Sequence, residues 1–130
     1  MTTLEELIVS GGELDRELIA SVLSGFVRLD GDSHTVRFLP AWDQLKNDDK
    51  VLVYLLARKG TFGLGWSEDE AISPGEVVHD TGLPGGSVRP GLGRLVAKRL
   101  VVTTEGRRYQ VPNWAVNQIK TLLSGEAPNR

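Results

Sequence analysis

The chain has 130 residues, 40% of them apolar and 25% charged, which is the balance of an ordinary globular protein long enough to bury a core without disulfides or metal. It has no cysteine and only two histidines, His34 and His79, which excludes disulfides, thiol catalysis, cysteine-based zinc and a histidine-rich metal cluster. The net charge of −2 is unevenly spread: residues 1–72 hold 13 acidic and 7 basic side chains (net −6), residues 73–130 hold 4 acidic and 8 basic (net +4). Local field rather than total charge steers a polyanion, so a nucleic-acid face belongs in the second half.

In chain order, Met1 to Leu7 carries two glutamates and no basic residue, unlike a secretory signal, and no apolar run approaches the roughly 18 residues of a membrane span. A cytoplasmic protein is expected. Leu4 to Ser10 reads as a weak helix ended by Gly11-Gly12. Leu14, Leu18, Ile19, Val22, Leu23 and Phe26 recur at helical spacing and predict a second helix closed by Gly25. Phe26 to Asp30 and His34 to Phe38 read as strands joined by Gly31-Asp32-Ser33, with Pro40 ending the second.

Asn47 or Asp48 can cap a helix running to Lys59. Asp48 and Asp49 stand at its positive end, Arg58 and Lys59 at its negative end, and Gly60 follows as a stop. Its apolar middle, Val51 to Leu56, predicts the centre of the core. Thr61 to Ile72 reads as a loop, with the acidic trio Glu68-Asp69-Glu70 solvated. Ser73-Pro74-Gly75-Glu76 is a capping-box helix start with proline at the first position. That helix is short, broken by Asp80-Thr81-Gly82.

Val88, Leu92, Leu95, Val96 and Leu100 form the buried stripe of the next helix. Ser87 as its cap would leave Pro90 in the first turn, where proline is harmless. Val101 to Thr104 and Arg107 to Val111 read as strands joined by the two-residue turn Glu105-Gly106. Pro112 stops the second strand, and Asn113 caps a last helix burying Val116, Ile119, Leu122 and Leu123.

The order from Asp48 onward resembles the winged helix-turn-helix superfamily over about 75 residues. The resemblance rests on Ser73-Pro74-Gly75-Glu76-Val77-Val78 for the positioning helix and Thr81-Gly82-Leu83-Pro84 for the turn. Ser87-Val88-Arg89 with Leu92-Gly93-Arg94-Leu95 stand for the recognition helix, and Leu100-Val101-Val102 lead into the wing. The expected fold is α+β and mostly helical. It comprises a winged helix-turn-helix over residues 47–124, an N-terminal helix-helix-hairpin extension over residues 1–46 that packs or dimerises, and a disordered tail over 125–130. Residues 1–46 match no family.

What the resemblance implies is double-stranded DNA binding, by a transcriptional regulator or a mobile-element or replication accessory factor. A helix fits the major groove and presents its exposed side chains to base edges. On a helical wheel the face opposite the stripe holds Pro90, Gly93, Arg94, Ala97 and Lys98, with Arg89 on a flank. Ser87 and the N–H groups near Gly86 could hold a phosphate, and Arg107 and Arg108 stand at the wing tip. The site is therefore Ser87, Arg89, Arg94, Lys98, Arg107 and Arg108. No asparagine or glutamine lies on that face, so readout is expected through phosphates, shape, or Arg89 and Arg94 to guanine. Arg99 points toward the stripe and reads as structural.

Arginine and lysine on a helix are usually only a solvated face, and winged helices also serve as protein-docking modules. The alternative is a non-enzymatic adaptor docking a larger protein partner, with the acidic N-terminal half as its surface. A homodimer would let two recognition helices read half-sites about one helical turn apart. No cofactor and no enzymatic activity are expected: His79-Asp80 lacks a nucleophile or third group, and the acidic trio lacks the pattern of a calcium loop. Trp42, Trp66 and Trp114 read as core or interface residues.

Overall fold

The computed structural model of the chain describes residues 3–4 and 15–125. The expected helix Leu4–Ser10 falls outside them from residue 5 onward, as does the tail beyond Gly125. The architecture is α+β and mostly helical, with two small antiparallel hairpins. No helix among the described residues is long and apolar enough to cross a membrane.

Helix α1 spans Arg16–Leu23. Asp15 caps it by accepting the Leu18 N–H at 3.0 Å, and Ile19, Val22 and Leu23 turn inward. Strands β1 (Val27–Asp30) and β2 (Thr35–Phe38) pair with Val27 opposite Phe38 and Asp30 opposite Thr35. The Asp30 carboxylate closes the turn by accepting the Asp32 and Ser33 N–H groups, and His34 takes a positive φ of 56°. Pro40 ends β2, but it also opens a short helix, α2 (Pro40–Asp43). The first helical position needs no N–H partner, so proline fits there. Helix α2 delivers Trp42 to the core, where its ring lies 3.9 Å from that of Phe38 and its Nε1–H donates to the Lys50 carbonyl at 3.1 Å.

Helix α3 runs Asn47–Gly63, past the expected stop at Gly60. Packing overrides the glycine signal. Helix α1 packs against α3 at this glycine, where a Cβ would meet Ile19 at 3.6 Å and Leu23 at 3.7 Å, ordinary contact distances. The residues from Val51 to Ala57 are all buried, because α1, α2, α4, α5 and the second hairpin surround this helix. Each fully buried leucine there contributes roughly 1.5–3 kcal/mol of transfer free energy.

In the loop after α3, Glu68 and Asp69 are exposed as expected of a solvated acidic trio, but Glu70 is drawn inward. Lys59 is buried and donates to Glu70 Oε2 and to the Val111 carbonyl, both at 2.9 Å. The Asp69 carbonyl accepts from Arg58 Nε at 3.1 Å. Ile72 then forms an isolated antiparallel bridge with Tyr109.

Helix α4 (Pro74–Thr81) opens on the expected capping box, with Ser73 and Glu76 each accepting the other's backbone N–H. Gly82 closes it in the left-handed region at φ 75°. Helix α5 spans Gly85–Ala97 and buries Val88, Leu92 and Leu95 on the expected stripe. Strands β3 (Val102–Thr104) and β4 (Arg108–Gln110) form the second hairpin, and a 3-10 turn, Asn113–Ala115, leads into α6 (Val116–Gly125). The hairpin turn has three residues, Glu105, Gly106 and Arg107, not two. Gly106 and Arg107 both take positive φ, 74° and 58°. Asn113 starts the 3-10 turn rather than capping α6.

Candidate nucleic-acid interface

Helix α5 starts two residues before the expected cap. Pro84 occupies the cap position and offers no side-chain oxygen, so Ser87 is a half-buried residue of the first turn, its own N–H given to the Pro84 carbonyl at 2.9 Å. Pro90 consequently lies inside the helix. Proline there removes one backbone bond and crowds the carbonyl four residues back. That residue is Gly86, exposed and without a side chain, which leaves the carbonyl open to water.

The solvent face of α5 carries Arg89, Pro90, Gly93, Arg94 and Ala97, and Lys98 follows at the C-cap; all are exposed. Arg99 departs from the expectation that it points toward the core. It is exposed and takes φ 63° just beyond the cap. Its N–H donates to Val96 O at 2.9 Å and the Leu100 N–H to Leu95 O at 3.1 Å, a Schellman closure in which arginine holds the position usually given to glycine.

The basic residues fall into two groups. Arg89, Lys98, Arg99 and the turn residue Arg107 make no ion pair or side-chain hydrogen bond among the described residues. Arg94 and Arg108 are engaged. Arg94 donates from Nε to Asp48 Oδ2 at 2.6 Å and from Nη2 to Asp48 Oδ1 at 2.9 Å. This holds the Asp48 carboxyl below its usual range, with nearby Lys98 adding to the effect. Arg108 is not a free tip residue. It opens β4 and turns back to the Ala71 carbonyl at 2.8 Å, to Asp69 at 3.3 Å and to Glu76 at 3.4 Å. It anchors the hairpin to the capping box of α4.

Asp48, Asp69 and Glu76 are thus the residues that sequence reasoning missed around this face. Asp48 reads in sequence only as a cap candidate and helix-dipole residue, and its pairing across 46 positions has no local signal. Trp114 is exposed, not core, whereas Trp42 is buried and Trp66 stacks on His34 with centroids 4.4 Å apart.

A separate cleft of about 420 Å³ lies between the first hairpin, α3 and the end of α4, lined among others by His34, Tyr54, Arg58, Trp66, His79 and Asp80. Several of its polar groups satisfy one another. Tyr54 donates to Asp80, which also meets His79 Nδ1 at 3.0 Å, and Arg58 is held by the Asp69 carbonyl. Burial, then the Asp80 contact, pushes the Tyr54 hydroxyl pKa well up, so it remains a neutral donor.

Comparison with protein-family models, with curated proteins and with solved structures gives no match.

Proposed function

We propose that this chain binds double-stranded DNA, with α5 as the major-groove helix of a winged helix-turn-helix and the β3–β4 turn as its wing, and that it acts as a small regulator or as an accessory factor of replication or of a mobile element. The observation that carries this reading is the set of exposed cations Arg89, Lys98, Arg99 and Arg107 on α5, its C-terminus and the neighbouring hairpin turn, which make no ion pair or side-chain hydrogen bond among the described residues. Cations not held in an ion pair can exchange bound counterions for phosphates, which supplies most of non-specific DNA affinity. Two further features support it. Helix α5 has no acidic residue, and Gly93 and Ala97 on its outer face permit close approach. The order α3, Ile72 bridge, α4, α5, hairpin suits a helix held out by two others beside a wing.

Fluorescence anisotropy with a labelled random-sequence duplex across a salt series tests it. Three or four phosphate contacts give a log–log salt slope of roughly −3 to −4. Reversing Arg89, Lys98 and Arg107 to glutamate should abolish binding while circular dichroism stays native. Arg94 and Arg108 are left intact because each already meets an acidic partner within the protein. Absence of wild-type binding at low salt overturns the proposal and turns attention to a protein partner.

A further inference from the structure

The exposed basic face contains one arginine that is poorly suited to holding a phosphate. Arg94 is paired side-on with Asp48, so the pair carries no net charge, and the carboxylate beside it repels a polyanion. Yet its side chain is 56% exposed against 20% for Asp48, so the guanidinium still faces solvent. An exposed ion pair adds little stability by itself. What the pairing does is orient the donors.

Arginine has five N–H groups in a rigid plane. Asp48 takes the one on Nε and one on Nη2. The distal edge of the guanidinium, where one N–H from each Nη points the same way, makes no hydrogen bond among the described residues. Two parallel donors at that spacing match O6 and N7 of guanine in the major groove. Fixing the guanidinium in advance also removes rotamer freedom that would otherwise be lost on contact.

The space for this arrangement is made by a particular residue. A Cβ on Gly91 would stand 2.8 Å from Asp48 Oδ1 and 3.6 Å from its Cγ, too close for the carboxylate to stay. Gly91 is buried and lies one turn before Arg94, so its missing side chain lets Asp48 reach across from α3.

We infer that Arg94 reads a guanine and that Asp48, seated on Gly91, is its positioning residue. This rests on the DNA-binding reading above and gives that surface its sequence specificity. Phosphate anchoring then falls to Arg89, Lys98, Arg99 and Arg107, and base discrimination to the charge-neutral Arg94–Asp48 pair.

The test is selection from a duplex library with a randomised core, sequenced after binding by wild type and by Arg94→Ala, Asp48→Asn and Gly91→Ala, alongside the salt-series anisotropy on unselected duplex. Thermal melts establish that each variant is folded. Wild type should enrich guanine at one fixed position by roughly tenfold or more. Arg94→Ala should flatten that position, because no donor then reaches O6 and N7. Asp48→Asn and Gly91→Ala should lower the preference several-fold. Asp48→Asn should bind unselected duplex as tightly as wild type or tighter, since a negative charge leaves the face. That combination, less specific but not weaker, is not produced by a merely structural ion pair. A guanine preference that survives Arg94→Ala, or one unchanged in Asp48→Asn, overturns the inference. Salt-dependent binding with no base preference overturns it while leaving the DNA reading intact. No binding in the salt series overturns both.

Discussion

Arg99 and Asp48 are single residues whose roles come from backbone geometry and charge rather than from burial. Arg99 occupies the left-handed closing position of α5 at φ 63°, where a side chain costs about 1–2 kcal/mol relative to glycine. Arg99→Gly should therefore raise unfolding stability by about 1 kcal/mol in urea melts. An arginine kept there against that cost suits a surface that needs the charge, so the same variant should bind duplex DNA more weakly. A less stable Arg99→Gly protein would mean that the arginine side chain holds the Schellman turn. Asp48 is governed by its partner. Its folded pKa is depressed, chiefly by the hydrogen bonds from Arg94, so its contribution is present above the unfolded value of about 4 and is lost as pH falls through the lower folded value. Wild type should exceed Asp48→Asn in stability at pH 5–7, and the gap should close in increasingly acidic melts. A gap of constant size would show that the ionised carboxylate contributes nothing.

At the scale of elements, the two glycines of the helix interiors behave oppositely. Gly60 sits inside α3, where glycine costs roughly 0.5–1 kcal/mol relative to alanine. A methyl group there would meet Ile19 and Leu23 at ordinary contact distances, 3.6 and 3.7 Å. Gly60→Ala should accordingly stabilise the protein by about 0.5–1 kcal/mol, a rise visible as an upward shift in thermal midpoint. Destabilisation would mean that the α1–α3 contact tolerates no added carbon. Gly91 on α5 has no such room, because the Asp48 carboxylate fills it. Helix propensity treats the two positions alike, and only the neighbouring element separates them.

For the whole molecule, the described part of the N-terminal extension shares one core with the rest. Ile19, Val22, Leu23, Val27 and Trp42 join the same buried cluster as Leu52, Leu92 and Ile119, and α1 packs against both α3 and α6. Removing residues 1–46 would strip apolar cover from α3, whose middle is buried on every side. The truncated chain should fail to fold cooperatively, lacking the single sharp urea transition expected of the full chain. A truncated chain that melts sharply would establish residues 47–124 as an independent unit. The buried Lys59 works at the same scale. By holding Glu70 and the Val111 carbonyl it joins α3, the following loop and the end of the second hairpin.

Local chemistry alone determined much of this protein. The capping box at Ser73 and Glu76, the buried middle of α3, the stripe Val88–Leu92–Leu95 and the two hairpins are each written in a few consecutive residues, because caps, periodicity and turn preferences act within one or two turns of chain. The exposed character of Arg89, Arg94, Lys98 and Arg107 was legible for the same reason. Sequence reading misplaced features where a distant neighbour outweighs local preference. Gly60 continues a helix because α1 packs on it, Glu70 is claimed by a buried lysine, and α5 starts at Gly85 although Ser87 is the better cap. The division of the basic face was likewise decided only by tertiary structure. Arg94 meets Asp48 and Arg108 meets Asp69 and Glu76 because folding lays α3, α4, α5 and the hairpin side by side. An ion pair spanning dozens of positions depends on where two backbones come to rest, which no short stretch of sequence encodes.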